Sequence, residues 1–176
     1  TTATPVETLV AARPVPTSTT ADNDAFYRAE EGLDGGGGVL ARPLDGGLIR
    51  PLAIGEARPR SLVEWDDHLY WVNYPAGVVR RVRKDGVLPA ETIASLQQQP
   101  IVVRVDRTGV YWLNWGTGPN HLDGQLRRAD FDGGRPLLLD SNIHEAYGLS
   151  LDDDRVYWTT QGTNAANYLD GTVRQV

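Results

Sequence analysis

The chain has 176 residues, 40% of them hydrophobic, which is the size and composition of a single globular domain. Its net charge is −6, and its 17 basic residues are scattered along the sequence, so a nucleic-acid partner is not expected. No apolar run is long enough to span a membrane. The absence of cysteine excludes disulfides, thiolate metal ligands and a catalytic cysteine.

The predicted strands begin with "ETLVA" at 7–11 and then recur in repeats of about 45 residues. The first repeat has an aromatic strand, "AFYRA" at 25–29, and a box of ten residues, "GGVLARPLDG" at 37–46, before an apolar stretch. The box opens with glycine and closes with Asp-Gly, a dipeptide that tolerates the positive backbone dihedrals of a tight hairpin. Each box therefore predicts a strand that ends in a sharp turn.

The second and third repeats keep this order. Their aromatic strands are "LYWVN" at 69–73 and "VYWLN" at 110–114, and their boxes of ten residues lie at 77–86 and 124–133. A further apolar stretch, "ETIAS" or "RPLLLD", ends each of these repeats. Valine, tyrosine, tryptophan, threonine and leucine suit a pleated, half-buried surface. The pattern therefore predicts an all-β protein with four short antiparallel strands in each repeat.

The fourth repeat has "VYWTT" at 156–160 and ends within its box, at "GTVRQV". Because the N-terminal segment matches the last strand of a repeat, we predict that residues 4–11 pair with 171–176 and leave no unpaired edge. There are two alternatives. Two chains could form one eight-bladed ring as a head-to-tail dimer, or the chain could be half of a longer array. The prediction is a single domain, 1–176, with repeats at approximately 12–53, 54–95, 96–140, and 141–176 plus 1–11.

One aromatic position and one acidic turn mark each repeat. The aromatic position is assigned to Phe26, Tyr70, Tyr111 and Tyr157, with spacings of 44, 41 and 46 residues, and the acidic turns to Asp22, Asp66, Asp106 and Asp152. Successive side chains of a strand point to opposite faces of the sheet. Tyr111 and Trp112 are therefore expected to pack against the two neighbouring sheets, as structural aromatic residues.

These aromatic pentapeptides and the boxes that follow them resemble the repeats of YWTD-type propellers and of related bacterial propellers of the NHL and TolB-like kind. The resemblance covers essentially the whole chain. It implies a β-propeller of four blades with four strands each, and it carries over no catalytic residue, because the motif residues are structural in those families. Asn73, Asn114 and Thr160 stand where the receptor propellers have Asp.

Two kinds of connection are expected on one face of the propeller: those that join the repeats, and those that follow the aromatic strands. Two of these loops, 114–124 and 160–171, are longer than the fold needs and share Gly-Thr, Asn and Leu-Asp-Gly. Loops on a rigid scaffold are usual binding positions. The predicted ligand-binding residues are Trp115, Asn120, His121, His144, Tyr147, Asn164, Asn167 and Tyr168.

We expect a non-catalytic binding or protein-interaction module whose loop-rich face holds a protein, a glycan or another polar ligand. One alternative is a hydrolase, lactonase or lyase with a metal or histidine at the axial mouth, and another is a structural subunit of a larger assembly. No cofactor or metal is expected, because His121, His144 and Glu145 have no ligand spacing fixed by a local element. A bacterial protein that is secreted, periplasmic or on the cell surface is favoured.

Overall fold

A computed structural model of the protein describes residues 15–32, 36–163 and 166–176. These residues form strands and one short 3-10 turn, Pro119–His121. The strands are β1 Pro16–Ala21, β2 Ala25–Glu30, β3 Gly37–Pro43, β4 Arg50–Glu56, β5 Pro59–Trp65, β6 His68–Asn73, β7 Val78–Arg83, β8 Glu91–Ala94, β9 Pro100–Asp106, β10 Gly109–Asn114, β11 Gly124–Ala129, β12 Leu137–Ile143, β13 Ala146–Leu151, β14 Val156–Thr160 and β15 Thr172–Gln175.

The strands form four antiparallel sheets in chain order. Strands β1 to β4, β5 to β8 and β9 to β12 make three sheets of four strands, and the described part of the chain gives the fourth sheet three, β13 to β15. Within each sheet every strand pairs with its neighbour in sequence, as the Asp-Gly turns predicted for the hairpins. The pairing predicted for residues 4–11 lies outside the described residues.

A side-chain carboxylate closes the turn at the start of the aromatic strand in the first, third and fourth sheets. Oδ1 of Asp106 accepts hydrogen bonds from the backbone N–H of Thr108 and Gly109, at 2.7 and 3.2 Å. Asp152 accepts from the same two positions in the fourth sheet, the N–H groups of Asp154 and Arg155. An aspartate at this position forms a turn of its own, which explains why the acidic residues recur.

The assignment of the aromatic position to Phe26 was wrong by one residue. The hydroxyl of Tyr27 donates to Asp22 at 3.0 Å, as that of Tyr157 donates to Asp152 at 2.9 Å. Each tyrosine follows its aspartate by five residues. Tyr27 is therefore the equivalent residue, and the one-residue shift places Phe26 on the opposite face of its strand.

The second sheet has no aspartate at the position that closes this turn in the other sheets, and its predicted acidic residue, Asp66, lies one residue later. The residue five positions before Tyr70 is Trp65, which ends β5, and Asp66 lies in the turn with a φ of 52°. Aspartate tolerates this left-handed backbone better than bulky residues do. Asp66 therefore forms the turn itself rather than closing it.

The described residues form three core clusters, each between successive sheets. Trp71 packs with the first sheet, Tyr70 and Trp112 share the next cluster, and Tyr111 and Trp158 share the last. Trp71 and Trp112 are fully buried. In the second and third sheets the tyrosine thus faces the next sheet and the tryptophan the previous one, as the alternation of the strand predicts. Buried aromatic side chains supply most of the packing between sheets.

The first strand of each sheet lies innermost. Strand β5 contacts β1 and β9, and β9 contacts β13, so these strands succeed one another around one axis. The connections before them and those after the aromatic strands lie on the same face, as predicted, because Glu145 N–H donates to the His121 carbonyl at 3.0 Å. No described helix is long and apolar enough to cross a membrane.

Candidate functional site

A cavity of about 560 Å³ opens on the loop-rich face, at the inner ends of the second, third and fourth sheets. It lies where β5, β9 and β13 begin and where the loops after β6, β10 and β14 leave their sheets. We call it the mouth cavity. Its lining residues are Arg58, Arg60, Tyr74, Ile101, Val102, Trp115, Ala146, Tyr147 and Gln161.

Aromatic side chains form the walls of the mouth cavity. Trp115 stacks on His121 with ring centroids 3.6 Å apart and planes 11° from parallel. Tyr74 lies 6.3 Å from Trp115 at a tilted angle, and its hydroxyl donates to Gln99 at 2.8 Å. Tyr147, which also lines the cavity, is 68% exposed. Two of these aromatic residues are thus held in place by neighbours, and the third is available to a ligand.

Two arginines add positive charge at one end of the cavity. The guanidinium of Arg60 lies over the Tyr74 ring, 5.1 Å from its centroid, which is a cation–π distance. Nε of Arg58 lies 2.9 Å from Glu31, and Nη2 of Arg60 lies 3.8 Å from the same carboxylate. Among the described residues, two cations and one anion give this end a positive charge and free donor N–H groups.

A repeated backbone turn holds the rim of the mouth cavity. Arg58, Gln99 and Glu145 directly precede β5, β9 and β13, and all three have positive φ, at 50°, 56° and 46°. The carbonyls of Gln99 and Glu145 accept the backbone N–H of Trp115 and Gln161, at 2.9 and 3.1 Å. Positive φ costs energy in residues other than glycine, and such residues cluster at ligand sites. Here the turn holds the residue that follows the neighbouring aromatic strand at a fixed position on the rim.

The structure brings together three of the predicted site residues. Trp115 and Tyr147 line the mouth cavity, and His121 supports Trp115 from behind. Nδ1 of His121 is within 3.0 Å of the Gly116 carbonyl, and the residue has a φ of 49°. Its ring is thereby engaged on one face and at one nitrogen.

The other predicted residues lie outside the cavity lining. Asn120, His144, Asn167 and Tyr168 are exposed, and Asn164 lies outside the described residues. Asn120, Asn167 and Tyr168 have positive φ, which Asn adopts more readily than most residues, so the two asparagines serve the turns. Within the described ranges no three His, Asp or Glu side chains are arranged to hold a metal ion.

In each of the two long loops, the aspartate of the shared Leu-Asp-Gly sequence accepts hydrogen bonds from the start of the same loop. Asp123 accepts hydrogen bonds from the N–H of Thr117 and Gly118, at 3.2 and 2.9 Å. Asp170 accepts from both the N–H and the hydroxyl of Thr163, at 2.6 and 2.7 Å. Burial raises the pKa of Asp123, but the Gly118 and Thr117 N–H groups outweigh it, so the pKa lies below its usual value.

Four other lining residues were not among those predicted: Arg58, Arg60, Tyr74 and Gln161. The first two occur in the connection "GEARPRS" and Tyr74 in "NYPAG", both predicted on this face. The signal that could have found them is position, because Tyr74 and Gln161 follow their aromatic strands as Trp115 follows its own. The prediction relied on loop length instead, which favoured the two long loops.

No protein-family model matches the sequence, and no curated protein matches it significantly. Solved structures do match. The computationally designed Ika4 protein is 17% identical over 96% of this chain and 94% of its own, with a TM-score of 0.68. The four sheets follow one another around one axis, and the match covers nearly all of both chains. Together these two observations establish the fold. The chain has a β-propeller fold.

Two natural proteins share this propeller arrangement at similar distance. A chain of the nidogen/laminin complex is 17% identical over 86% of this chain, with a TM-score of 0.65. Virginiamycin B lyase from Staphylococcus aureus is 15% identical over 92% of it, with a TM-score of 0.62. The present chain spans 60% and 55% of their lengths, respectively. Identity this low shows the fold, which hosts binding proteins and enzymes alike.

Proposed function

We propose that the protein is a binding module that holds a saccharide in the mouth cavity. The observation that carries this proposal is the arrangement of Tyr74, Trp115 and Tyr147 around a cavity of about 560 Å³ that also presents Arg60 and Gln161. Flat aromatic walls with a few polar groups are the usual form of a small-ligand pocket.

The chemistry of the lining suits a sugar ring. The apolar face of a pyranose can stack on Tyr147, while its hydroxyl oxygens accept from the Arg60 guanidinium and the Gln161 amide. The excess positive charge of Arg58 and Arg60 over Glu31 favours a sugar that carries a carboxylate or sulfate.

Binding is supported over catalysis by the ionisable groups that line the cavity. These are two arginines and two tyrosines, and among the described residues the lining includes no carboxylate and no histidine. General acid–base chemistry near neutral pH uses His, Asp or Glu most often. His121 sits behind Trp115, and its Nδ1 is engaged with the Gly116 carbonyl. A lyase- or hydrolase-type reaction therefore has no obvious proton donor here.

The test is a glycan array probed with the wild-type protein and with Tyr147→Ala. Tyr147 is 68% exposed, so its removal leaves the core intact and should reduce array binding at least about 10-fold. Tyr168→Ala is the matched control, because Tyr168 is also an exposed tyrosine but does not line the cavity. Equal binding by wild type and Tyr147→Ala, or no bound glycan, contradicts the proposal.

The same protein could also bind a protein partner or a second copy of itself, and this part of the proposal is tested separately. The three core clusters join four sheets in succession, and Tyr157 of the fourth sheet faces away from the third. A second copy placed against this face would continue the ring. Light scattering distinguishes the two assemblies, because a monomer has a mass of 19.3 kDa and a dimer twice that value.

A further inference from the structure

The interfaces between sheets contain four equivalent positions. In the second sheet these are Trp71, Asn73 and Arg80, with Glu56 from the preceding sheet. Arg80 is paired with Trp71 across the strands, as Arg127 is with Trp112. Trp112, Asn114 and Arg127, with Gln97 from the preceding connection, are the corresponding residues of the third sheet.

At the first interface these residues form a closed polar cluster. Oε2 of Glu56 accepts from Trp71 Nε1 at 3.1 Å and from Asn73 Nδ2 at 2.6 Å, and Oε1 lies 3.2 Å from Arg80. Trp71 Nε1 also donates to Oδ1 of Asn73 at 3.1 Å. Glu56 is 2% exposed. The buried carboxylate therefore has both a cation and hydrogen-bond donors, as a buried charge requires.

At the second interface a neutral amide replaces the carboxylate. Oε1 of Gln97 accepts from Trp112 Nε1 at 2.9 Å and from Asn114 Nδ2 at 3.1 Å. Nε of Arg127 donates to the Gln125 amide at 2.7 Å, and no carboxylate of the described residues lies within salt-bridge distance of Arg127. This cluster has the cation of the first interface but lacks its anion.

An open cleft occupies the place beside this cation. It has a volume of about 600 Å³ and is lined by residues of the second and third sheets, among them Gln97, Gln98, Asn114, Gln125 and Arg127. Oδ1 of Asn114 and Oε1 of Gln98 have no hydrogen-bond partner in the described part of the chain, and Asn114 is 1% exposed. Buried polar atoms normally have partners, so these acceptors indicate a missing donor.

We propose that this cleft, separate from the mouth cavity, binds a sugar acid. The carboxylate of the ligand pairs with Arg127, as Glu56 pairs with Arg80 at the neighbouring interface. Its hydroxyl groups donate to the amide oxygens of Gln98 and Asn114 once these two buried side-chain amides turn toward the cleft. A carboxylate on a guanidinium forms strong charge-assisted hydrogen bonds, and a hydroxylated ring supplies the donors that both amides lack.

The test measures binding of D-glucuronate by isothermal titration calorimetry, with D-glucose and acetate as partial ligands. Wild type should bind D-glucuronate at least about 10-fold more tightly than either partial ligand, because each lacks one of the two recognised groups. The variant Gln97→Glu restores the internal carboxylate of the first interface. It should reduce glucuronate binding at least about 10-fold while the protein stays folded by circular dichroism.

Two control variants separate this cleft from other effects. Glu56→Gln makes the equivalent change in reverse at the first interface and should leave the glucuronate affinity within about 2-fold of wild type. The titrations are repeated in Tyr147→Ala, which removes a wall of the mouth cavity and with it any binding of an acidic sugar there, so the remaining binding reports the cleft alone and failure of the saccharide proposal would not affect this one. An oligogalacturonide tests whether a polymer supplies the same chemistry. No glucuronate binding at millimolar concentration, equal binding of glucose, or undiminished binding by Gln97→Glu overturns the proposal.

Discussion

The indole Nε1 of Trp71 lies 3.1 Å from the carboxylate of Glu56, on the preceding sheet, and the pair is fully enclosed. At the third interface Ile143 occupies the position of Glu56, because Ile143 and Glu56 pair with equivalent glycines, Gly124 and Gly37. Nε1 of Trp158 accordingly has no partner among the described residues. The same motif tryptophan is thus hydrogen-bonded at one interface and purely apolar at another.

This difference predicts unequal costs for the same substitution. Trp71→Phe and Trp158→Phe remove similar apolar area, but the first also leaves Asn73 and Glu56 short of a donor. An unsatisfied buried polar group costs about 1 to 3 kcal/mol. We expect Trp71→Phe to be more destabilising than Trp158→Phe by about that amount, measured by urea unfolding at constant slope.

Full truncation provides the matching control. Trp112→Ala and Trp158→Ala should each cost about 3 to 5 kcal/mol, because both rings are buried between sheets. If the two phenylalanine variants prove equally stable, hydrogen bonding at the interface is not what distinguishes the tryptophans. A loss below about 1 kcal/mol for either alanine variant would indicate surface residues.

Glu56 should be the most sensitive carboxylate of the first interface. Glu56→Ala leaves Arg80 as a partly buried cation without its anion and removes the acceptor of Trp71, so we expect a loss of about 3 to 5 kcal/mol. Glu91→Ala is the control, because Glu91 also pairs with an arginine, at 2.7 Å, but its side chain is 53% exposed. Exposed ion pairs contribute about 0 to 1 kcal/mol. Equal losses in thermal or urea unfolding would contradict the closed cluster.

The sequence was sufficient for the repeats and for the faces of their strands. Period-two alternation correctly placed Tyr111 and Trp112 in different core clusters. It failed for Phe26, because "AFY" offers two adjacent aromatic residues and only the hydrogen bond from Tyr27 to Asp22 decides between them. A hydrogen bond between two side chains depends on the folded geometry, which the spacing of the residues in the sequence does not show.

The sequence predicted the face of the propeller that holds the candidate site, but only some of the residues that line it. Trp115 and Tyr147 line the mouth cavity, whereas Asn120 and Asn167 adopt left-handed backbone and serve their own turns. Asparagine is frequent both in turns and in polar sites, so composition cannot separate the two roles. The arginine pair was missed because its "GEARPRS" connection is short, and cavity position depends on how three sheets converge.

The turn that Asp22 closes should make stability depend on acid pH. Burial raises the pKa of Asp22, but hydrogen bonds from Lys84 at 2.9 Å and from the N–H groups of Ala25 and Asp24 outweigh this, so the pKa lies well below 3.8. A carboxyl whose folded pKa is depressed stabilises the protein above its unfolded pKa. That contribution is lost as pH falls from about 3.8 toward the lower folded value.

The variant Asp22→Asn should therefore flatten the dependence of unfolding free energy on pH in this acid range. It should also lower stability at neutral pH, because Lys84 loses one of its two carboxylate partners, the other being Glu64 at 2.7 Å. Asp24→Asn is the control, since it removes the same formal charge from an exposed neighbour. Parallel pH profiles for wild type and Asp22→Asn would show that this carboxyl does not contribute.

The carboxylate of Asp123 should control the mouth cavity through its loop. Asp123 ties Thr117 and Gly118 to the end of the loop that begins at Trp115, so Asp123→Ala frees two backbone N–H groups near the tryptophan. A loosened loop must be ordered again when ligand binds, which weakens affinity at small cost to the fold. We expect at least about 5-fold weaker binding of a glycan identified on the array, with the midpoint of thermal unfolding changed by a few degrees at most. Asp170→Ala makes the same change in the other long loop. It should affect affinity less, because Gln161 is the one described residue of that loop that lines the cavity. Unchanged affinity in Asp123→Ala, or an equal loss in Asp170→Ala, would contradict the assignment of the walls.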